Sequence, residues 1–315
     1  MSTIQAYTTV TRPAASASNI GLTIFNTTEN AINVSDGTIW RAYNSDGVSL
    51  SDITNTYSLD LDGADEYLTA GSETLFDTSS AFSFSGWVKL DTYANSFPVI
   101  FQAKTDLGTS KGFAIFLNQS TNNYSGVSFG VGGATSGSGT PRLTTNSTAV
   151  ASDLVGNWRH ICITFDGVDI SAGGNGVAGV QDTTSGFKLY INNSLQTLYT
   201  SGSLGAYDNS NFLGSGFAGT NEYYLDGHID EFSIYNTELS ANQVSELYNG
   251  GVAGVNVNSL NPVGWWRMGD ASGDTWDSTN WTIDNAASGT NSLGSNADAT
   301  SVNMEQADRT ADVAS

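Results

Sequence analysis

Basic residues are scarce in this chain. Ten Lys plus Arg face 31 Asp plus Glu, a formal charge of −21. Nucleic acids and anionic membrane surfaces are held by basic patches, so neither is an expected partner. Cysteine occurs once, as Cys162, which excludes an intramolecular disulfide. It sits inside the apolar run Ile161–Phe165 and reads as a buried thiol rather than a nucleophile. Histidine occurs twice, as His160 and His228. Two His and one Cys scattered along the chain do not make a zinc ligand set, and structural histidines are the expectation. There is no apolar run of membrane-spanning length, so no membrane insertion is expected. The first residues, MSTIQAYTTVTRPAAS, have neither a basic nor an apolar segment, so a secretory signal peptide is not expected. The glycine runs lack the strand-to-helix setting of a phosphate loop or dinucleotide fingerprint.

Hydrophobic residues make up 39% of the 315 and aromatics 11%, enough for a sizeable core. With 35 glycines and many Ser, Thr and Asn, the composition suits two-sided sheets joined by turns. Period-two alternation is repeated along the middle of the chain. In FSFSGWVKL, Phe82, Phe84, Gly86, Val88 and Leu90 oppose Ser83, Ser85, Trp87 and Lys89. In GFAIFLN, Phe113, Ile115 and Leu117 share a face, and FKLYINNSLQTLY predicts a hairpin with Asn192-Asn193 at its tip. Ile229, Glu231, Ser233 and Tyr235 alternate with Asp230, Phe232 and Ile234. One short helix follows that strand. Ser240 and Gln243 form a capping-box pair, Leu239 and Val244 the hydrophobic staple, and Gly250 the stop. Segments 130–148 and 171–186 are rich in Gly, Ser and Thr and read as long loops, where recognition and subunit contacts concentrate.

The segment DGHIDEFSIYNTELSANQVSELYNGG resembles the closing signature of LamG-like jelly-roll domains of the concanavalin A-like lectin/glucanase superfamily. YSLDLDGADEYLTA, FSFSGWVKL, NWRHICITFDG and FKLYINNSL precede it in the family's order. The resemblance implies an all-β, two-sheet jelly-roll sandwich over residues 51–251. Residues 1–50 are read as a small N-terminal β-module, with Ile24 and Phe25 in one strand. Ile32 and Val34 lead into a Ser35-Asp36-Gly37 turn, from which Ile39, Trp40 and Tyr43 return. Its arrangement of Arg12-Pro13, Gly21, IFNT and DGTIW is similar to a small module recurrent in tailed-phage virion proteins. Residues 252–315 are read as a C-terminal docking segment carrying Trp265, Trp266, Trp276 and Trp281. In the resembling family, a stretch like VGWWRMGD normally precedes the LDLDGADEY strand. Here it follows the closing helix. A permuted strand of the same domain, a strand lent to a neighbouring subunit and a docked tail all fit.

Glucanases of the superfamily need two carboxylates flanking the scissile bond in a Glu-x-Asp-x-x-Glu arrangement, and that arrangement is missing, so no enzyme activity is expected. The resemblance also implies a structural Ca²⁺ against the sheet. Asp230 matches the acid of the closing strand, with Asp62 and Asp226 as companions; the alternative reading is that these acids cap turns. Glycan binding is the family's default function, and Tyr223, Tyr224, Trp87 and Trp158 are candidates by residue type. Together these readings predict a non-enzymatic bacteriophage virion surface protein in a capsid-decoration, head-fibre or tail-fibre-associated role. It would be made in the host cytoplasm, would bind other virion proteins and copies of itself, and would adhere to glycans through the jelly roll. A non-virion lectin-like protein is the competing reading, and a glucanase relative the third.

Overall fold

The computed structural model describes residues 5–8, 11, 13–26, 31–35, 40–43, 50, 52–71, 75, 80–93, 98–104, 112–118, 126–132, 141–145, 153–168, 181–183, 185–203, 212–213 and 223–315. In chain order the strands of the N-terminal part are β1 (Gln5–Tyr7), β2 (Thr23–Asn26), β3 (Ala31–Ser35) and β4 (Trp40–Tyr43). The middle of the chain supplies β5 (Ser58–Asp62), β6 (Tyr67–Ala70), β7 (Phe82–Thr92), β8 (Val99–Lys104), β9 (Gly112–Asn118), β10 (Gly126–Gly132), β11 (Pro141–Thr144) and β12 (Arg159–Phe165). There follow β13 (Phe187–Ile191), β14 (Ser194–Leu195), β15 (Tyr199–Ser203), β16 (Phe212–Leu213), β17 (Asp226–Tyr235) and one helix, α1 (Ala241–Tyr248). The last strands are β18 (Gly264–Trp266), β19 (Thr275–Trp276), β20 (Trp281–Ile283), β21 (Ala299–Val302) and β22 (Arg309–Thr310).

Two large sheets form an all-β sandwich. One runs β15-β11-β10-β9-β8-β16-β6-β21-β20-β19, the other β14-β13-β12-β7-β17-β5-β22, with β18 also paired to β17. The expected alternation supplies the core: Phe82, Phe84, Val88 and Leu90 of β7 meet Phe113, Ile115 and Leu117 of β9 in one buried cluster. Gly86 has a packing reason, because a Cβ there would overlap the Phe232 ring. Asn192 and Asn193, at φ 48° and 62°, form the β13–β14 hairpin tip. The 130–148 segment is not a single loop, since β10 extends to Gly132 and Pro141–Thr144 is β11. Residues 133–140 lie outside the described residues, as do 146–148 and most of 171–186.

The helix has the expected N-terminus. Ser240 Oγ accepts from Gln243 N–H, Gln243 Oε1 accepts from Ser240 N–H, and Leu239, Val244 and Leu247 are buried. Its end differs by one residue: Asn249, at φ 47°, is the left-handed cap and Gly250 continues the turn. Asn tolerates this conformation through its short polar side chain. Strict alternation in β17 also fails. Its register against β7 shifts between Asp230 and Ser233, and Glu231 takes φ 49°. This bulge puts Ile229 and then Phe232 and Ile234 into the same core, three residues apart instead of two.

Residues 252–315 contribute to both sheets. β18 pairs with β17 at Phe232–Ile234, on the edge that β5 occupies at Asp226–Ile229. β21 pairs with β6 and β22 with β5. Trp266 and Trp281 are buried in the main core with Trp276 packed against it, while Trp265 lies in a second cluster with Leu239, Val244 and Leu247 under the helix. Apolar indoles on short strands thus fill the sandwich from its C-terminal end. The N-terminal strands form a separate four-stranded sheet, β1-β2-β3-β4, with Ile24 buried. The Asp36-Gly37 turn and Ile39 lie outside the described residues.

Candidate functional site

The bulge in β17 holds Asp230 at the point where β5 stops and β18 begins. Asp230 is fully buried, and its Oδ2 accepts a hydrogen bond from Asn55 Nδ2 at 2.7 Å. The other carboxylate oxygen, Oδ1, is buried with no hydrogen-bond partner, and so is Asn55 Oδ1. Burial pushes the Asp230 carboxyl well above its ordinary range, and the neighbouring acids Glu231 and Asp270 push in the same direction. Asp270 is itself fixed, its Oδ2 accepting from the backbone N–H groups of Thr56 and Tyr57 at 2.7 and 2.8 Å. Buried polar oxygens are nearly always satisfied, and leaving one orphaned costs about 1–3 kcal/mol. Two orphaned oxygens beside excess negative charge are what a hard divalent cation with oxygen ligands resolves. Asp230 Oδ1 and Asn55 Oδ1 are thus two oxygens of the kind Ca²⁺ takes, out of the roughly six to eight it binds.

Asp62 and Asp226 do not join them. They are register partners of each other across β5 and β17, four residues along β17 from Asp230, a separation of about 13 Å for extended chain. Asp62 Oδ1 closes its own turn by accepting from the N–H groups of Ala64 and Asp65, and Asp226 accepts from the Thr92 hydroxyl. Of the expected trio, the structure brings Asp62 and Asp226 together and leaves Asp230 with Asn55 and Asp270. Those two partners come from segments about 175 residues upstream and 40 downstream of it, so sequence spacing gave no signal for them.

His160 is buried, with Nε2 2.8 Å from Ser85 Oγ, and burial alone pushes its pKa down to about 3. It packs between Trp87 and Tyr248 as a neutral structural side chain. Cys162 is also buried, which pushes its thiol up and away from reactivity.

One end of the ten-stranded sheet carries a polar row on its outer face. Thr69 stands between core residues Leu68 and Ala70, and faces Thr300, which faces Thr282, which faces Thr275. Thr275 and Thr300 are exposed, Thr69 and Thr282 half-buried. The half-buried Tyr67 stacks on Tyr224 beside this row, with ring centroids 6.1 Å apart. Tyr223 packs farther along against Val99, Ala114 and Phe116. The remaining two aromatic candidates belong to the other sheet: Trp87 is buried with Ala253 and Ala314, and half-buried Trp158 donates to Asp312 at 2.8 Å.

A family profile described as the concanavalin A-like lectin/glucanases superfamily (Laminin_G_3) matches residues 62–245. No curated protein matches the chain. Similar solved structures include a putative carbohydrate-binding protein from Bacteroides ovatus, 14% identical, with 79% of this chain and 58% of that one covered at a TM-score of 0.49. The heptameric SAP-like pentraxin from Limulus polyphemus is 15% identical, with 62% and 82% covered and a TM-score of 0.36. The CBM40 of the Ruminococcus gnavus IT-sialidase is 15% identical, with 64% and 97% covered and a TM-score of 0.35. With more than half of the chain inside that profile and the two-sheet sandwich in place, the chain belongs to the concanavalin A-like lectin/glucanases superfamily.

Proposed function

We propose that this chain is a non-catalytic carbohydrate-binding protein whose glycan surface is the outer face of the ten-stranded sheet. The observation that carries this reading is the cross-strand row Thr69, Thr300, Thr282 and Thr275 beside the Tyr67–Tyr224 stack. Hydroxyls supply donors and acceptors for sugar hydroxyls, and a half-buried tyrosine face supplies an apolar platform. Asp230 and Asn55 hold a structural Ca²⁺ that neutralises the buried carboxylate and fixes the strand beneath. The candidate acids Asp60, Asp62, Asp65 and Glu66 belong to one strand and its turn; Glu66 accepts from Asp62 N–H at 2.8 Å and is hydrogen-bonded to Asp308. A glycan array with Thr300→Lys as control, and a reducing-sugar release assay on the ligands found, test this. The expected result is glycan retention lost in the variant, with no sugar released. An empty array, or sugar release, overturns it.

A second reading is favoured by the N-terminal module. Its resemblance to modules of tailed-phage virion proteins is joined by a small sheet with Ile20, Leu22 and Ile32 exposed at 64, 43 and 39%. So little chain buries little core by itself, and a neighbouring chain would cover these residues. In this setting the protein is displayed on a bacteriophage virion as an oligomer, the module binding virion proteins and the jelly roll facing outward. Light scattering and mass spectrometry of purified particles test it; a strict monomer absent from particles refutes it.

A further inference from the structure

Among the described residues, one group of His and Asp side chains outside the Asp230 site has ligand geometry. Asp60, Asp91 and His228 each offer one ligand atom, and these atoms all lie within 4.8 Å of one another. The backbone explains the convergence. His228 is the register partner of both Asp60 on β5 and Lys89 on β7. Between Leu90 and Thr92, β7 carries an extra residue opposite the Gly227–Asp226 step, and that residue is Asp91. A bulge of this kind re-aims a side chain. Here period two already puts Asp91 on the face of Lys89, the register partner of His228, and the bulge leaves Asp91 without a register partner of its own. Gly227, at φ 145°, is required there, since a Cβ would strike the Lys89 carbonyl oxygen.

The imidazole is the second, independent observation. His228 is only 5% exposed, and neither ring nitrogen makes a hydrogen bond; Nδ1 is buried without a partner. Nε2 is aimed into the carboxylates, 3.7 Å from Asp60 Oδ1, 3.6 Å from Asp91 Oδ2 and 4.0 Å from Asp312 Oδ2. These separations are too long for hydrogen bonds. They are close to the edge of about 3.4 Å expected between ligand atoms around a four-coordinate ion with bonds of about 2.1 Å.

We propose that Asp60, Asp91 and His228 bind a divalent transition-metal ion of the zinc class, at a site separate from the oxygen-only set at Asp230. Imidazole nitrogen with two carboxylates selects borderline metals over calcium. Asp312 lies close enough to supply a fourth oxygen. The competing cation is Lys89, whose ammonium pairs with Asp312, lies 3.8 Å from Asp91 and sits 5.9 Å from the Trp158 ring centroid. Trp158 also packs on His228, with centroids 6.0 Å apart, which places a fluorescent reporter beside the site.

The test uses untagged full-length protein stripped with chelator and dialysed. Zn²⁺ is titrated calorimetrically, and Co²⁺ is titrated against tryptophan fluorescence. The expected result is one saturable site per chain. His228→Gln and Asp91→Asn each lose at least about tenfold in affinity. Lys89→Met gains affinity because it removes the competing charge, an outcome that a purely structural cluster does not give. Asp230→Asn leaves the zinc isotherm unchanged. Circular dichroism checks that each variant folds, and the partly exposed Asp91 keeps the test open if His228→Gln does not. Absence of a saturable Zn²⁺ isotherm in the parent protein, or identical isotherms for the parent and Asp91→Asn, overturns the proposal.

Discussion

Trp265 donates its indole N–H to Glu231, with Nε1 and Oε2 2.6 Å apart and both side chains buried. The contact joins the bulge of the closing strand to the strand that continues its edge, so the bulge and the C-terminal segment stabilise each other. Glu231 also accepts from Arg267 Nε at 3.0 Å through its second oxygen. Burial pushes this carboxyl up to about 7, against the lowering effect of Arg267 and the Trp265 hydrogen bond.

Removing one partner of a buried pair leaves an uncompensated charge. Arg267→Met is therefore expected to cost about 3–5 kcal/mol in urea denaturation. The double variant Arg267→Met, Glu231→Gln recovers much of the loss, because the amide still accepts the indole hydrogen bond. A double variant no more stable than the single one counts against this account.

Trp266 is fully exposed-surface-free in the core and donates from Nε1 to the Ala297 carbonyl at 2.7 Å. Trp266→Ala is expected to cost about 3–5 kcal/mol. Truncation after residue 251 is expected to abolish cooperative unfolding, since β18, β21 and β22 leave β17, β6 and β5 unpaired on those edges. A truncated chain that melts like the full one refutes the integral role of the segment.

Calcium is expected to raise the melting temperature of the parent protein and chelator to lower it, while Asp230→Asn responds to neither. The linkage gain is about 2.7 kcal/mol when the free ion is a hundredfold above Kd. In chelator the Asn variant should melt above the parent, because it removes a buried carboxyl facing Glu231 and Asp270. Scanning calorimetry with and without Ca²⁺ decides it.

Glu66 gives a pH dependence of known sign. Burial raises its pKa from 4.5 to about 8, with the hydrogen bond from Asp62 N–H opposing. The folded state holds the proton more tightly, so this contribution is complete below pH 4.5 and is lost as pH rises through about 8. Glu66→Gln should therefore match the parent in mild acid and melt a few degrees higher at pH 8. Parallel melting curves across this range would remove Glu66 as the cause.

The local features were legible because they are local. Ser240 with Gln243, the alternating faces of 82–90 and the Asn192-Asn193 tip each depend on neighbours a few residues away. Ser240→Ala is accordingly expected to cost about 1 kcal/mol by urea denaturation. The bulge at Asp230–Glu231 escaped the period-two pattern because a single inserted residue reverses which side chains face the core.

Sequence alone determined the fold class, the short capped helix and a strongly acidic composition, since these follow from periodicity, from the order of the resembling motifs and from the residue counts. Tertiary structure decided the rest. It placed Trp266 and Trp281 in the sandwich core with Trp276 against it and Trp265 under the helix, separated Asp230 from Asp62 and Asp226, and gathered Asp60, Asp91 and His228. The physical reason is pairing between strands distant in the chain: β5, β7 and β17 meet side by side, and their register, with its bulges, fixes which side chains share a face.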